Sequence, residues 1–129
     1  MKTKKISIIL GSYNRKRFLK TTIDSIRKNN IKREYEIIVI DGGSTDGSLE
    51  YLVKQKDIIT ILQHNHGKWN HKTIVRKSWG YFMNLGFKAA SGDYICMISD
   101  DCLLVENVLE NGISEIEKQK SISFCLKYV

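Results

Sequence analysis

Two adjacent acids, Asp100 and Asp101, follow directly after the largely apolar segment ICMIS at residues 95–99. Neighbouring carboxylates repel one another and raise one another's pKa, and a divalent cation bound beside them removes that cost. Hard oxygen ligands suit Mg²⁺ or Mn²⁺, and magnesium sites typically combine one or two carboxylates with substrate phosphates. The acid pair therefore predicts a metal site in which the metal holds a phosphate group.

Two further polar clusters follow apolar segments of the chain: GSYN at residues 11–14 and DGGSTDG at residues 41–47. In a parallel sheet the carboxyl ends of such strands face the same way, and ligands bind there. A cleft at that edge would combine a glycine turn, a helix N-terminus and several carboxylates. Taken separately, each cluster also fits a plain turn. In the third one, Asp101 would then cap a helix that begins near Leu104. Neither G-x-G-x-x-G nor a P-loop is present, so a dinucleotide fold or a P-loop NTPase is not indicated.

The hydrophobic pattern supplies the elements that must position these clusters. It predicts the order β-α-β-α-β-loop-α-β-α-β. The predicted strands lie at residues 6–10, 35–40, 57–63, 93–99 and 121–129, and the predicted helices lie at 16–29, 44–55, 78–92 and from 105 onward, with a polar loop at 64–77. Strands that alternate with helices imply the α/β class: one domain, residues 1–129, built as a three-layer α/β/α sandwich with a mainly parallel sheet.

Several side chains have expected places in these elements. Asn14 is expected to cap the first helix. Gly80 and Gly86 are expected to weaken the third helix, and Trp79 is expected to be buried in it. The expected inner faces of the second and third helices are Leu49, Leu52 and Val53, and Tyr81, Phe82, Leu85 and Ala89 respectively.

The composition is that of an ordinary globular domain, with 42% hydrophobic and 27% charged residues. The sequence contains no run of about 18 apolar residues, the length that is needed to cross a membrane. Three cysteines without C-x-x-C spacing indicate reduced thiols rather than a disulfide framework, which predicts a cytoplasmic protein. The formal charge of +7 attracts phosphorylated molecules or acidic surfaces, so peripheral contact with the inner face of the membrane is a hypothesis.

The three clusters, in this order, resemble the N-terminal half of family 2 glycosyltransferases, which are inverting enzymes with a GT-A fold. ISIILGSYNR is similar to the family's first strand and turn, and EIIVIDGGSTDGSLEYL is similar to its second strand and helix. MNLGFKAASGDYICMISDD is similar to the segment that leads to its D-x-D motif. The resemblance covers residues 5–115 and implies a Rossmann-like domain that binds a nucleotide-sugar donor. It implies a UDP-sugar first, with guanosine and thymidine donors left open, and a saccharide or lipid-linked acceptor.

The resemblance also implies roles for the first two clusters. Ser12, Tyr13 and Asn14 match the turn that lines the nucleoside site. Asp41 matches the acid that hydrogen-bonds the nucleotide base. Asp46 matches a second acid of the same loop, for which a structural capping role is expected.

The third cluster is expected to carry the metal. Asp101 matches the last acid of D-x-D, which binds Mn²⁺ or Mg²⁺ on the diphosphate, and Asp100 matches the middle position near the ribose and phosphates. Ser99 stands at the first position, where the family has an acid, so Asp101 is expected to provide most of the metal binding. Arg76, or Lys77 beside it, lies where a basic side chain could reach the diphosphate.

The resemblance leaves the catalytic base unassigned. Inverting transfer needs a general base that deprotonates the acceptor hydroxyl, and in the family that acid comes from the C-terminal half. Glu106, Glu110, Glu115 and Glu117 fit the outer faces of a helix instead. The expectation is therefore a donor-binding half, truncated or standing alone, without the acceptor-binding half. The oligomeric state is not indicated.

Three other interpretations fit parts of the sequence. His64, His66 and His71 could in principle bind zinc, but no cysteine or acid in the loop completes four ligands. A basic nucleic-acid-binding module, which Tyr13, His66 and Trp69 would serve, is the alternative function, although carboxylate-rich strand ends argue against it and no nucleic-acid partner is predicted. A response-regulator-type domain needs paired acids after the first strand, where this chain has GSYN.

Overall fold

The computed structural model describes residues 3–120. The strand predicted at residues 121–129 lies outside the described residues. Along the described chain the elements are β1 (Ile6–Ser12), α1 (Lys16–Arg27), β2 (Tyr35–Asp41), α2 (Ser48–Val53), β3 (Ile58–Leu62), β4 (Lys68–Trp69), β5 (Lys72–Thr73), α3 (Trp79–Ala89), β6 (Tyr94–Met97) and α4 (Val108–Gln119).

The main sheet is parallel and has the order β3-β2-β1-β6 in the described part of the chain. The register of β1 with β2 begins with Ile6 beside Tyr35 and finishes with Ser12 beside Asp41. On its other side β1 pairs with β6, where Ile9 lies beside Met97. The predicted α/β class with a mainly parallel sheet is confirmed. Since β1, β2 and β6 are neighbours, their carboxyl ends lie at one edge.

Helices cover both faces of the sheet because β1 and β2 carry apolar side chains on both faces, as strands of a buried parallel sheet do. The core under α1, α2 and α4 contains Ile6, Ile8, Leu10, Leu19, Ile23, Ile26, Ile37, Val39, Leu52, Ile98, Leu109 and Ile113. The core under α3 contains Ile9, Ile38, Ile40, Phe82 and Met83. The residues of each strand alternate between the two cores, as side chains on a strand must.

The inner face of α3 differs from the predicted stripe. Phe82, Met83 and Gly86 are its buried residues, whereas Tyr81 is 42% exposed and Trp79 is 64% exposed. The expected burial of Trp79 was therefore wrong. The helix approaches the sheet through its glycine, and this rotates Trp79 and Tyr81 away from the core.

Gly86 is the point of closest approach between α3 and the sheet. A Cβ atom on Gly86 would lie 2.5 Å from Cγ2 of Ile9 and 2.8 Å from Cδ1 of Ile40. Gly80, in contrast, has only Ser78 Oγ nearby, at 3.9 Å. The two glycines that the sequence pattern treats alike thus have different roles, and Gly86 allows the helix to pack.

Three further expectations about local structure need correction. Val53 is 67% exposed, because α2 is only six residues long and buries Ser48 and Leu52. The helix after β6 begins at Val108, following Asn107 with φ +62°, so Asp101 does not cap it. The polar loop at 64–77 contains the short antiparallel hairpin of β4 and β5.

No helix within residues 3–120 is both long and apolar enough to span a bilayer.

Candidate functional site

A cleft of about 640 Å³ opens at the carboxyl edge of β1, β2 and β6. Five of the residues predicted from the sequence line it: Ser12, Tyr13, Arg76, Lys77 and Asp100. Asn14, Asp41 and Asp101 are not part of its lining. The three strand ends therefore lie together at one edge of the sheet, as predicted.

Asp100 is held at the floor of the cleft. Ser12, at the end of β1, donates a hydrogen bond from Oγ to Asp100 Oδ2 over 2.9 Å. The Asp100 side chain is only 8% exposed, and burial raises its pKa, although the Ser12 hydroxyl and the nearby Arg15 guanidinium oppose the rise. A buried carboxylate of this kind gains from an additional cation.

Asp101 lies at the rim and is 46% exposed. The Ser99 hydroxyl donates to Asp101 Oδ1 over 2.6 Å, and Arg15 Nη1 donates to Oδ2 over 3.0 Å. These two contacts, the serine first, lower the pKa of Asp101. The two neighbouring acids thus have pKa values shifted in opposite directions by their surroundings, and Asp101 is the one that stays ionised most readily.

A polar stripe on α1 positions the segment that carries both acids. Thr22 Oγ1 donates to the main-chain oxygen of Asp100 over 3.0 Å. Ser25 Oγ accepts from the Leu104 amide over 3.2 Å, and the Asn29 side chain bonds the backbone of Val105 and Leu109. Thr22, Ser25 and Asn29 are all buried. Thr22 and Ser25, three positions apart, lie on one face of α1, and Asn29 follows two residues after the end of the helix.

Asp41 organises the turn after β2 from a fully buried position. Its Oδ1 accepts from the backbone amides of Gly43 and Ser44 over 2.9 and 2.7 Å. Its Oδ2 accepts from the Ser44 hydroxyl over 2.6 Å. The carboxylate therefore sets the course of the loop whose Gly42 lines the cleft, and its predicted contact with a base stays a prediction.

Asn14 connects two of the polar turns instead of capping α1. It has φ +51°, and its Oδ1 accepts from the Thr45 amide over 2.7 Å. The first amide of α1, Lys16 N, instead donates to Asp46 Oδ2 over 2.9 Å. Asp46 also accepts from the Ser48 amide at the start of α2. The cap expected from Asn14 was wrong, whereas the structural capping expected of Asp46 is observed, at two helices.

Two of the three histidines form aromatic stacks. His66 stacks on Tyr13 with ring centroids 3.9 Å apart, and His64 stacks on Trp69 at 4.7 Å. Among the described residues there is no group of three or more His, Cys, Asp or Glu side chains that could hold a metal ion. The histidine spacing therefore corresponds to two stacks, and one of them, Tyr13 with His66, lines the cleft.

The loop at 64–77 is closed so that its basic end faces the cleft. The Asn65 side chain accepts from the Lys77 amide over 2.6 Å and donates to the Lys77 carbonyl. The Asn65 amide itself donates to the Gly42 carbonyl over 3.0 Å. Arg76 and Lys77 line the cleft as a result, as Asp100 does.

The acid pair fits a divalent cation only together with another ligand. Asp100 and Asp101 offer hard carboxylate oxygens, and Ser99 is committed to Asp101. Two carboxylates with substrate phosphates are a typical set for Mg²⁺. The two carboxylates therefore suit a divalent cation that brings further oxygen ligands with it.

The glutamates near α4 have other partners. Glu110 forms an ion pair with Arg33 over 3.0 Å, and Glu117 accepts from the Tyr94 hydroxyl over 2.8 Å. Neither lines the cleft.

Arg15, Asn65, His66 and Trp79 also line the cleft. Arg15 and Asn65 were not expected at the site, His66 was named only for zinc or nucleic-acid binding, and Trp79 was expected to be buried. Arg15 had a local signal, because it directly follows the GSYN cluster. Asn65 and the stacking of His66 on Tyr13 had no local signal, because the path of the loop at 64–77 brings both side chains to the cleft. Trp79 stands at the start of α3.

The sequence profile described as "Glycosyl transferase family 2" matches residues 7–129. The putative glycosyltransferase EpsE of Bacillus subtilis (strain 168) is 31% identical over 120 residues, covering 90% of this chain and 40% of its own length. The solved structure of S. aureus TarS superposes with a TM-score of 0.71 at 20% identity, over 90% of this chain and 20% of that one.

A further solved structure is the mannosyltransferase PcManGT from Pyrobaculum calidifontis in complex with GDP-Man and Mn²⁺. It superposes with a TM-score of 0.66 at 20% identity, over 86% of this chain and 32% of that one. The structural likenesses establish the GT-A-like fold. None of these comparisons supports the nucleic-acid-binding alternative. The chain spans well under half of the length of each of these relatives.

Proposed function

The chain belongs to glycosyl transferase family 2, and on that premise we propose that it is the donor-binding part of a glycosyltransferase. The proposed donor is a nucleoside diphosphate sugar, UDP-sugar first, bound together with Mn²⁺ or Mg²⁺. The observation that carries the proposal is the cleft at the carboxyl edge of the sheet. An aromatic stack, two basic side chains and a buried acid all line it. A base, a diphosphate and a metal need these three kinds of group.

The nucleoside is proposed to bind against the Tyr13–His66 end of the cleft. Exposed aromatic faces stack on nucleobases irrespective of base identity, by about 1–3 kcal/mol per base. Asp41 directly precedes Gly42, which lines the cleft beside Tyr13, and its Oδ2 holds a single described partner, the Ser44 hydroxyl. Base recognition by Asp41 is proposed to occur by exchange of that partner for a base N–H group, while its bonds to Gly43 and Ser44 amides keep the turn in place.

The diphosphate is proposed to lie between the acid pair and the basic end of the loop at 64–77. Asp101 and Asp100 are the residues that would hold the metal, and Arg76 and Lys77 would contact the phosphates. A bound divalent cation supplies charge neutralisation for the diphosphate that leaves the sugar. The chain's own contribution is to fix these groups before the donor arrives, since Ser12 and Thr22 hold Asp100 from two sides.

The transfer itself is proposed to be an inverting attack by an acceptor hydroxyl on the anomeric carbon. The nucleoside diphosphate leaves as that bond forms, and the hydroxyl proton passes to a general base. We assign no base among the residues described. The acceptor is proposed to be a saccharide or a lipid-linked molecule. A cytoplasmic location is proposed from the three cysteines without C-x-x-C spacing, and contact with an acidic membrane face is proposed from the charge of +7.

Calorimetric titration with UDP, with and without Mn²⁺ at moderate salt, tests the donor proposal directly. Metal-dependent binding is expected, and GDP titrated under the same conditions reports the base preference. A folded sample that binds neither nucleotide in either condition would refute the proposal.

Two variants test the assigned residues. Asp41→Ala is expected to lose UDP binding, and Asp101→Ala is expected to lose the dependence of binding on Mn²⁺. Glu50→Ala is the matched control, because Glu50 is an exposed acid of α2 away from the cleft. Unchanged binding in both site variants would show that the site has been placed wrongly.

A further inference from the structure

Arg15 contacts both members of the acid pair. Its Nη1 lies 3.0 Å from Asp101 Oδ2 and 3.6 Å from Asp100 Oδ1. Within residues 3–120, no other basic side chain lies within salt-bridge distance of either acid. Arg15 itself is half exposed and lines the cleft. A cation that belongs to the protein therefore stands beside the carboxylates that would bind a metal.

Each of the four carboxylate oxygens of the pair faces a donor of the protein. Ser12 Oγ donates to Asp100 Oδ2 and Ser99 Oγ to Asp101 Oδ1, while Arg15 faces the remaining two oxygens. Of these donors only Arg15 carries a charge, and its long, half-exposed side chain can move without unfolding the strands. A divalent cation that approaches the free protein meets a carboxylate pair whose charge is already partly neutralised.

We propose that Arg15 is an internal counter-cation that competes with the divalent metal, and that the donor diphosphate releases the acids by drawing Arg15 onto itself. The inference rests on the proposed function and deepens it. A guanidinium group binds carboxylate and phosphate with the same planar fork of N–H donors. Arg15 can therefore exchange Asp101 for a phosphate oxygen and remain in the cleft.

The expected consequence is cooperative binding of metal and nucleotide. Metal alone binds weakly, because it must displace Arg15 and because two cations close together repel. Nucleotide removes both obstacles, so it raises the metal affinity, and by linkage the metal raises the nucleotide affinity by the same factor. Without Arg15, the metal alone should bind more tightly and the coupling should shrink.

The test measures Mn²⁺ binding by electron paramagnetic resonance of free Mn²⁺, with Mn²⁺ alone and in saturating UDP. Arg15→Gln is compared with Arg17→Gln, which removes the same charge two residues away, from an exposed side chain that pairs with no acid in the described residues. Arg15→Gln is expected to bind Mn²⁺ alone about fivefold more tightly, the upper range for an exposed ion pair. Arg17→Gln is expected to stay within about twofold of the parent, by the screening of exposed charges.

The UDP-induced gain in Mn²⁺ affinity is expected to be smaller in Arg15→Gln than in the parent. Arg15→Lys, which keeps a cation at this position, is expected to bind Mn²⁺ alone as the parent does. Equal Mn²⁺ affinity in Arg15→Gln and Arg17→Gln would overturn the proposal, even if the parent binds UDP with metal. Conversely, tighter Mn²⁺ binding by Arg15→Gln would support the counter-cation role even if UDP failed to bind and the donor proposal fell.

Discussion

Replacement of Thr22 by valine tests whether α1 positions the acid pair. Thr22 is 1% exposed, and its hydroxyl donates to the main-chain oxygen of Asp100 over 3.0 Å, 78 positions along the chain. Valine has nearly the same shape and lacks the hydroxyl, so the helix core is kept and one buried carbonyl loses its donor. The substitution therefore isolates a single contact between the first helix and the acid-bearing segment.

The expected cost has two parts. A buried carbonyl left without its partner destabilises a protein by about 1–3 kcal/mol, which corresponds to a lower Tm of about 4–12 °C for a domain of this size. Loss of a group that orients a metal-binding residue typically weakens metal affinity by about tenfold or more. We therefore expect Mn²⁺-dependent UDP binding to weaken by about tenfold in Thr22→Val, beyond what the change in stability explains.

Thermal unfolding and calorimetric titration with UDP and Mn²⁺ measure the two parts separately. Thr21→Val is the matched control, because Thr21 is exposed and its hydroxyl bonds the Arg17 carbonyl of its own helix. It should change the free energy of unfolding by less than about 0.5 kcal/mol. Thr22→Ser retains the hydroxyl and should restore the binding, although it leaves a small cavity.

Binding has to be measured well below the Tm of the weakest variant. If Thr22→Val lowers the Tm but binds UDP with Mn²⁺ as tightly as Thr21→Val does, the stripe on α1 has only a structural role. If Thr22→Val changes neither quantity, the carbonyl has found another donor and the reasoning from burial is wrong.

Two further predictions concern the stability of the sheet. Gly86→Ala should be less stable than Gly80→Ala by about 1–3 kcal/mol in thermal unfolding. Both substitutions gain helix propensity, and only the Cβ at position 86 meets the sheet. Equal stabilities would show that α3 can move away from the sheet to make room. Burial raises the pKa of Glu36, but hydrogen bonds from Ser7 and Lys5, together with a neighbouring backbone amide, outweigh it and lower the pKa from 4.5 to about 2. The stability that this carboxylate contributes, on the order of 3 kcal/mol, should be present above about pH 4.5 and be lost between about pH 4.5 and 2. Glu36→Gln should therefore flatten this part of a plot of unfolding free energy against pH. An unchanged acidic part of that plot would contradict the assignment.

The parts of the fold that depend on near neighbours in the chain were predictable. Strands β1 and β2 are visible as apolar runs, and α1 shows its period of 3.6 residues through Leu19, Ile23 and Ile26. Such patterns need only the repeat of strand or helix geometry. The alternation of the elements then restricts the fold to a parallel sheet with helices on both faces. For this reason the edge at which the polar clusters meet follows from the order of the elements alone.

The local chemistry of the clusters was predicted less well. Asn14 has the side chain of a helix cap, but its backbone takes a left-handed conformation and its oxygen bonds Thr45 on another turn. Asp46 caps both α1 and α2. A local pattern cannot reveal the cap of α1, because Asp46 lies 30 positions away from that helix end. Capping is a short-range preference, and a stronger partner from a neighbouring loop overrides it.

The α/β class, the order of the elements and the three clusters at one edge could all be predicted from the sequence, since they follow from periodicity and from the direction of parallel strands. Packing between distant elements brings Arg15 beside acids 85 and 86 positions away, joins Thr22 to one of them, and presses Gly86 rather than Gly80 against the sheet. Each of these depends on a distance between side chains on different elements. Such distances arise when β6 pairs beside β1 and α1 packs across them, and no periodicity within one element encodes them.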